Sequence, residues 1–310
     1  MRRSVRRSAE DFIKANGLRL CYQTFGEQSR PAIILIMGMG AQMVGWEDDF
    51  CELLASRGFW VIRFDNRDAG RSTHLDWAGT PDVMSALTRA YFRQPVAAPY
   101  TLQDMALDVV CLLDALNIRK AHFVGASMGG AIAQILGFRF PERVLSLISI
   151  MSTTGDPNLP QPAASIVSAV LKPPPPSREA YVEHYVKTWS HLRVISFPDD
   201  EERDRLRAAR NYERGLHPVG AARQLVAILA SGSRKQALRS INAPTLVIHG
   251  DVDPLVPLAG GIDTAESIRD ARLVVLKGMG HALPSRMWSP IIDGIVGVAE
   301  NAAKRPVWAR

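Results

Sequence analysis

The segment Gly-Ala-Ser-Met-Gly-Gly at positions 125–130 has the clearest capacity for chemistry. An apolar run that predicts a strand precedes it, and an apolar stretch that predicts a helix follows it. A serine on a sharp turn from strand to helix presents its hydroxyl as a nucleophile, and small neighbours at Gly125 and Gly129 permit the strained turn. The Met128 N–H, at the start of the helix, then faces a developing oxyanion. A glycine-rich turn with an incidental serine is the alternative, but the flanking elements favour Ser127 as a nucleophile.

A serine hydroxyl needs a base, and the chain has seven histidines. His281 follows the last predicted strand in the loop Gly278–His281, at the end of the sheet where Ser127 is expected. A surface histidine is the alternative, and the position of His281 after Ser127 in the chain favours the base. His122 begins a predicted strand at the opposite end, so we expect a structural role. His249 closes a strand and is expected to be buried or supporting. The remaining histidines lie in predicted loops or in the insert and are expected to be solvated: His74, His184, His191 and His217.

The base needs a carboxylate that fixes its tautomer and stabilises the imidazolium. Asp251 and Asp253 both follow the last but one predicted strand. Asp251 comes directly after Gly250 and is expected to shape the turn by accepting backbone N–H groups. Asp253 precedes Pro254, which restricts it to extended conformations and could hold its carboxylate toward the His281 loop. We therefore predict Asp253 as the acid.

The loop after the first buried strand is expected to supply a second oxyanion donor. It reads Met-Gly-Met-Gly at positions 37–40, and Gly38 permits a close approach of the backbone. Backbone N–H groups stabilise an oxyanion whatever the side chain, and Met39 is the predicted donor. A core methionine beside a turn is the alternative interpretation.

Predicted strands and helices alternate along most of the chain, which indicates an α/β fold with a mostly parallel, doubly wound sheet. The dipeptide Asn16-Gly17 predicts an opening hairpin and thus an antiparallel edge. The alternation stops between about 153 and 240, a stretch too long for an ordinary loop. We expect an α/β core over 11–152 and 241–310, with a mainly helical cap (lid) inserted over 153–240.

Composition excludes several other classes of protein. The net charge of +6 comes largely from basic residues near the two ends of the chain, so we expect a disordered basic tail over 1–10 and no nucleic-acid partner. Three separated cysteines fit neither a disulfide framework nor a metal cluster, and no metal site is expected. Neither a signal peptide nor a membrane-spanning run is visible, which predicts a soluble, cytoplasmic protein without stable membrane insertion. The sequence leaves the oligomeric state open.

Taken together, these residues resemble the α/β-hydrolase superfamily. The block 64–72 looks like the D-x-R-G-x-G-x-S turn of many members, and 249–257 is similar to the loop that carries the family acid, with Asp253 at the acid position. The segment 37–40 with Trp46 and 66–68 is most similar to the esterase branch that includes aclacinomycin methylesterase. Many members have His where Met37 stands, a departure that leaves the backbone donor in place. The resemblance implies ester hydrolysis without cofactor or metal.

We therefore predict a serine hydrolase that cleaves small-molecule carboxylic esters through an acyl-enzyme. The same triad also serves C–C bond hydrolases, lactonases and perhydrolases, and a ligand-binding protein with a vestigial triad is a further alternative. Specificity is expected to come from the insert. Its apolar positions could line a pocket or form ordinary helix core: Ile166, Val167, Val170 and Leu171.

Overall fold

The computed structural model describes residues 5–195 and 200–304, which form one sheet of eight strands with helices on both faces. The strands are β1 (Asp11–Ala15), β2 (Leu18–Phe25), β3 (Ala32–Ile36), β4 (Trp60–Phe64), β5 (Ala121–Ala126), β6 (Val144–Ile150), β7 (Thr245–Gly250) and β8 (Arg272–Leu276). Their order in the sheet is β1-β2-β4-β3-β5-β6-β7-β8. Every pairing from β4 to β8 is parallel, which confirms the predicted fold class.

The antiparallel edge is the predicted hairpin. Asn16 and Gly17 connect β1 to β2 with φ of 51° and 73°, the left-handed conformation that a two-residue hairpin turn requires. β2 then pairs antiparallel with β4 and joins the hairpin to the parallel strands.

The helices in chain order are α1 (Asp48–Ala55), α2 (Val83–Tyr91), α3 (Leu102–Ala115), α4 (Met128–Arg139), α5 (Ala164–Leu171), α6 (Arg178–Arg193), α7 (Asp200–Arg214), α8 (Pro218–Ser231), α9 (Lys235–Leu238), α10 (Leu258–Ser267) and α11 (Trp288–Lys304). Helices α3 and α4 cover one face of the sheet, and α1 and α11 cover the other. In β3, Ile34 and Ile36 face α3 and α4, whereas Ile33 and Leu35 face α1 and α11. A continuous apolar strand is therefore explained by burial on both faces.

Helices α5 to α9 lie between β6 and β7, and α6 to α8 form a helical cap. Helix α8 packs against α2 and α3, and α7 packs against the short 3-10 helix Met43–Gly45 that follows β3. The cap therefore lies over loops that leave the carboxyl ends of the parallel strands, the edge at which such folds bind ligands.

The N-terminal segment differs from the expected disordered tail in the part that the structure describes. Arg7 forms an antiparallel bridge with Phe25, and the Ser8 N–H donates to the Thr24 carbonyl at 3.0 Å. These contacts extend the edge of the sheet, so pairing with β2 orders residues 5–10 even though their composition is basic. Residues 1–4 of the predicted tail lie outside the described residues, as do 305–310 of the predicted core.

Candidate active site

Ser127 stands alone between β5 and α4, in the turn from strand to helix. Its φ of 54° and ψ of −119° are strained for a residue with a side chain. The turn is held by the Ser127 N–H, which donates to the Ile150 carbonyl at 2.9 Å, and by the Ser127 carbonyl, which accepts from the Gly130 N–H. This is the strand-turn-helix geometry that exposes a nucleophile at the carboxyl edge of a sheet.

Glycines on both sides of Ser127 allow this turn to pack closely. A Cβ on Gly125 would overlap the Gly129 carbonyl, and a Cβ on Gly129 would overlap the carbonyl of Ile36 in β3. A Cβ on Gly38 would lie 3.2 Å from the Ser127 Cβ. The structure thus brings Gly38, Gly125 and Gly129 around Ser127.

His281 and Asp253 form a buried pair. The His281 Nδ1 lies 2.8 Å from the Asp253 Oδ2, and the side chains are 7% and 0% exposed. The second carboxylate oxygen accepts from the N–H groups of Leu255 at 2.9 Å and Val256 at 2.8 Å. The His281 N–H donates to the carbonyl of Leu192, at the end of cap helix α6, at 2.7 Å. A proton on Nδ1 that bonds the carboxylate leaves Nε2 as the basic nitrogen.

The Ser127 hydroxyl has no hydrogen-bond partner in the part of the chain that the structure describes, and it makes no bond to His281. Without substrate, the bond between nucleophile and base is often long and tightens only when substrate is bound.

Met39 and Met128 occupy the two predicted oxyanion positions. Met128 is the first residue of α4, and its N–H has no acceptor among residues 5–195 and 200–304. The same holds for the Met39 N–H, in the loop that Gly38 brings against Ser127. The Met39 side chain packs on the hydrophobic core, as its alternative interpretation requires, and this packing leaves the backbone donor available.

The two aspartates after β7 are clearly separated by their contacts. The Asp251 Oδ1 accepts from the Gly278 N–H at 2.6 Å, whereas Asp253 bonds the His281 ring. Asp251 therefore ties its own turn to the His281 loop through the backbone, a longer-range contact than the local turn bond expected from the sequence.

His249 is buried beside this pair, as expected. Its Nε2 lies 2.8 Å from the Val256 carbonyl and 3.6 Å from the Asp253 Oδ2. Burial is the main cause that lowers the pKa of the His249 ring, so the neutral form is favoured.

Sequence reasoning missed the contacts that fasten the cap to the core. Arg214 of α7 pairs with Asp65, and Arg223 of α8 forms two hydrogen bonds with Asp68 at 2.6 and 2.8 Å. Although burial alone raises the pKa of the Asp68 carboxyl, the hydrogen bonds from Arg223, Leu75 and other donors hold it below its usual value. Arg214 is one of several arginines on α7 and Arg223 lies alone on α8, and nothing in their spacing identified a partner.

Among the described residues, three side chains that could ligate a metal lie close to one another: His74, Asp76 and His217. The two imidazole rings stack at 3.7 Å, and the Arg223 guanidinium lies 3.2 Å from the His217 Nε2 and 3.3 Å from the Asp76 carboxylate. A cation is therefore already paired with two of the three candidate ligands, so the group fits a metal poorly. Within the described chain, no helix is long and apolar enough to span a bilayer.

Comparisons with known proteins agree with this fold. A family model described as alpha/beta hydrolase fold matches residues 31–284. The chain is 29% identical over 304 residues to rhodomycin D methylesterase of Streptomyces peucetius, covering 91% of this chain and 95% of the relative. It is 28% identical over 270 residues to 3-oxoadipate enol-lactonase 2 of Acinetobacter baylyi, covering 86% and 88%. A meta-cleavage product hydrolase from Pseudomonas fluorescens IP01 superposes with a TM-score of 0.71 at 21% identity, covering 94% of this chain and 98% of that chain, which supports the fold alone.

Proposed function

The chain belongs to the α/β-hydrolase fold family, and from this premise we propose that it hydrolyses carboxylic esters through an acyl-enzyme on Ser127. One observation carries the proposal. A serine in a strained turn from strand to helix lies at the same edge of the sheet as a buried pair in which the His281 Nδ1 is 2.8 Å from the Asp253 Oδ2. These are the three groups that acyl transfer needs: a nucleophile, a base and an acid that orients the base.

The proposed reaction uses groups of this chain and one water molecule. The Ser127 oxygen attacks the ester carbonyl while the His281 Nε2 takes the hydroxyl proton. The N–H groups of Met39 and Met128 donate to the oxyanion of the tetrahedral intermediate. The protonated His281, stabilised by Asp253, then gives its proton to the leaving alcohol, which leaves the acyl group on Ser127. Water, deprotonated by His281, repeats the attack and releases the acid.

For the substrate class, we propose an ester of a small alcohol, and the relative named a methylesterase, similar along nearly its whole length, supports this choice. A lactone is the second candidate, because another relative matched over 270 residues is named an enol-lactonase. Both reactions open an acyl–oxygen bond through the same tetrahedral intermediate, so the site itself accommodates either.

We further propose that 153–240 acts as a cap that selects the ester. The four apolar positions of α5 are half-buried, which leaves them neither in a core nor fully in solvent, as expected of a pocket lining: Ile166, Val167, Val170 and Leu171. Their contact with substrate would account for an apolar helix in which no side chain is fully buried.

The test is a panel of methyl, ethyl and bulkier esters of one acid, together with p-nitrophenyl acetate, an enol-lactone and a meta-cleavage product. We expect kcat/KM to be highest on a methyl ester. The variant Val170→Ala should change the ratio between bulky and acetyl substrates by about tenfold while sparing p-nitrophenyl acetate. Leu107→Ala, on the outer face of α3, is the control and should leave the ratio unchanged. Turnover of the C–C substrate alone would contradict ester hydrolysis.

A further inference from the structure

Gln224 on cap helix α8 reaches into the core and bonds the backbone of two loops. Its Oε1 accepts from the Gly40 N–H at 2.7 Å, and its Nε2 donates to the Arg67 carbonyl at 2.7 Å. The side chain is 0% exposed, and its bond to the Arg67 carbonyl is buried, whereas Gly40 itself lies at the surface. A buried amide with both ends paired to rigid backbone is held in one orientation.

Gly40 belongs to the same tight turn as Met39. The Ala41 N–H donates to the Gly38 carbonyl at 3.3 Å, which makes Met39 and Gly40 the two central residues of a four-residue turn. The φ of 66° at Gly40 is the conformation that a type II turn requires at its third residue. Types I and II differ by rotation of the central peptide, whose N–H is the one bonded to Gln224. The Gln224 bond therefore selects one of the two forms of this turn.

Helix α8 is held against the turn Gly38–Ala41 by close packing and by an ion pair. A Cβ on Gly40 would lie 3.0 Å from the Ala221 Cβ, so the helix packs directly on the loop. One residue before Gln224, the Arg223 guanidinium is 1% exposed and pairs with Asp68 of the core. The packing and the ion pair together fix the position from which Gln224 acts.

We propose that Gln224 is a positioning residue for the oxyanion loop: from the cap, it anchors the turn Gly38–Ala41 and so keeps the adjoining Gly38–Met39 peptide in place, with the Met39 N–H directed at the reacting carbonyl. The inference rests on the proposed function, since it assigns Met39 to the oxyanion. It also gives α8 a part in the chemical step, in contrast to α5, whose proposed part is selection among substrates.

The test compares Gln224→Met, which keeps the volume but removes both hydrogen bonds, with Gln224→Glu, which keeps an acceptor for the Gly40 N–H. We expect Gln224→Met to lower kcat about 10- to 100-fold on every ester, p-nitrophenyl acetate included, with KM changed less than about threefold, because a displaced donor stabilises the transition state less. Binding of a trifluoromethyl ketone, which forms a tetrahedral adduct, should weaken by the same factor as kcat/KM. Gln224→Glu keeps the acceptor for the Gly40 N–H but loses the donor to the Arg67 carbonyl, so kcat should fall clearly less than in Gln224→Met.

Gln134→Met is the matched control. Gln134 is also 0% exposed, and it bonds Arg234 and Ser149 rather than a loop of the site. We expect Gln134→Met to lose about as much unfolding free energy as Gln224→Met, with kcat unchanged. The proposal is overturned if Gln224→Met keeps its kcat, or if Gln224→Glu loses as much kcat as Gln224→Met.

Failure of the proposed function is distinguished by a second measurement. If the wild-type protein cleaves no ester, that function fails, and the rate at which a fluorophosphonate labels Ser127 still reports on the oxyanion loop, because the phosphonyl oxygen needs the same donors. A labelling rate that is equal in wild type and Gln224→Met then overturns the positioning role, and a slower rate in the variant supports it.

Discussion

Each end of the parallel strands holds a serine and a histidine, and the two sites are built differently. At the amino end, the His122 Nδ1 lies 2.8 Å from the Ser146 Oγ, across the paired strands β5 and β6. At the carboxyl end, Ser127 and His281 form no such bond. Direct contact between a serine and a histidine is therefore found at the opposite end of the sheet from the proposed active site.

The difference lies in what surrounds each pair. His122 and Ser146 are buried in regular strands, and the described residues place no carboxylate within hydrogen-bonding distance of the His122 ring. Burial lowers the pKa of His122 to about 4, which makes it a poor proton acceptor at neutral pH. His281 has a carboxylate on its Nδ1, and Ser127 has a strained turn that leaves its hydroxyl unpaired. On this comparison, the carboxylate and the turn, more than a serine–histidine contact, distinguish the proposed catalytic site.

Replacing Ser127 and Ser146 in turn should produce the largest difference in turnover between the two ends of the parallel strands. Ser127→Ala is expected to lower turnover by about 10⁵-fold or more with the fold intact, because the nucleophile is lost. Ser146→Ala should leave turnover unchanged and cost about 1 kcal/mol of unfolding free energy, since it removes one buried hydrogen bond. Steady-state kinetics and urea unfolding measure both effects. A fluorophosphonate should label the wild-type chain once, on the peptide that contains Ser127, and labelling of another serine would contradict the assignment.

The carboxylate is the next feature to test. Asp253→Asn should lower kcat by about 10⁴-fold, a loss typical of this change in a Ser-His-Asp triad, because an amide favours the wrong tautomer of His281. The matched control is Asp251→Asn, two residues earlier. Its amide oxygen still accepts from the Gly278 N–H without the full charge, so we expect a loss of about 1 kcal/mol in stability and little change in kcat. If Asp251→Asn is inactive and Asp253→Asn is active, the acid has been misassigned.

The smallest expected effect concerns the pH dependence of stability at the amino end. Above pH 6.5 the His122 ring is neutral in the folded and unfolded chain. As the pH falls from 6.5 to about 4, the unfolded chain binds a proton that the folded ring does not, so the unfolding free energy decreases by on the order of 3 kcal/mol. In His122→Gln this component is absent, and the difference between the two proteins across this range isolates it from other titrating groups. Parallel curves for the two proteins would show that His122 is not the cause.

Much of the fold could be predicted because its strands are continuous apolar runs that end in turn residues. The last two predicted strands, which precede Asp251 and the His281 loop, are β7 and β8 in the structure. Helix α2 escaped prediction, because only Ala86 among its residues is buried, and Met84 and Tyr91 remain exposed. Its packing against α8 depends on a segment more than a hundred residues away.

The site could be predicted where a local motif carries the information. The strand-turn-helix placement of Ser127 and the contrast between Asp251 and Asp253 follow from neighbouring glycines and proline. Gln224 and Arg223 had no such signal, because an ordinary helical glutamine or arginine acquires its role only when α8 docks on loops over 150 residues earlier in the chain.

The ion pair between Arg223 and Asp68 constrains how a molecule can reach Ser127. Lifting the whole cap would separate two buried opposite charges, which costs several kcal/mol and makes such opening rare and slow. Helix α5 has no fully buried side chain, and its displacement breaks little packing. We therefore expect substrate to enter where α5 is displaced, and the amide hydrogens of α5 should exchange with solvent well before those of α8. Substrate would then reach Ser127 by local displacement of α5, while the other cap helices stay docked on the core.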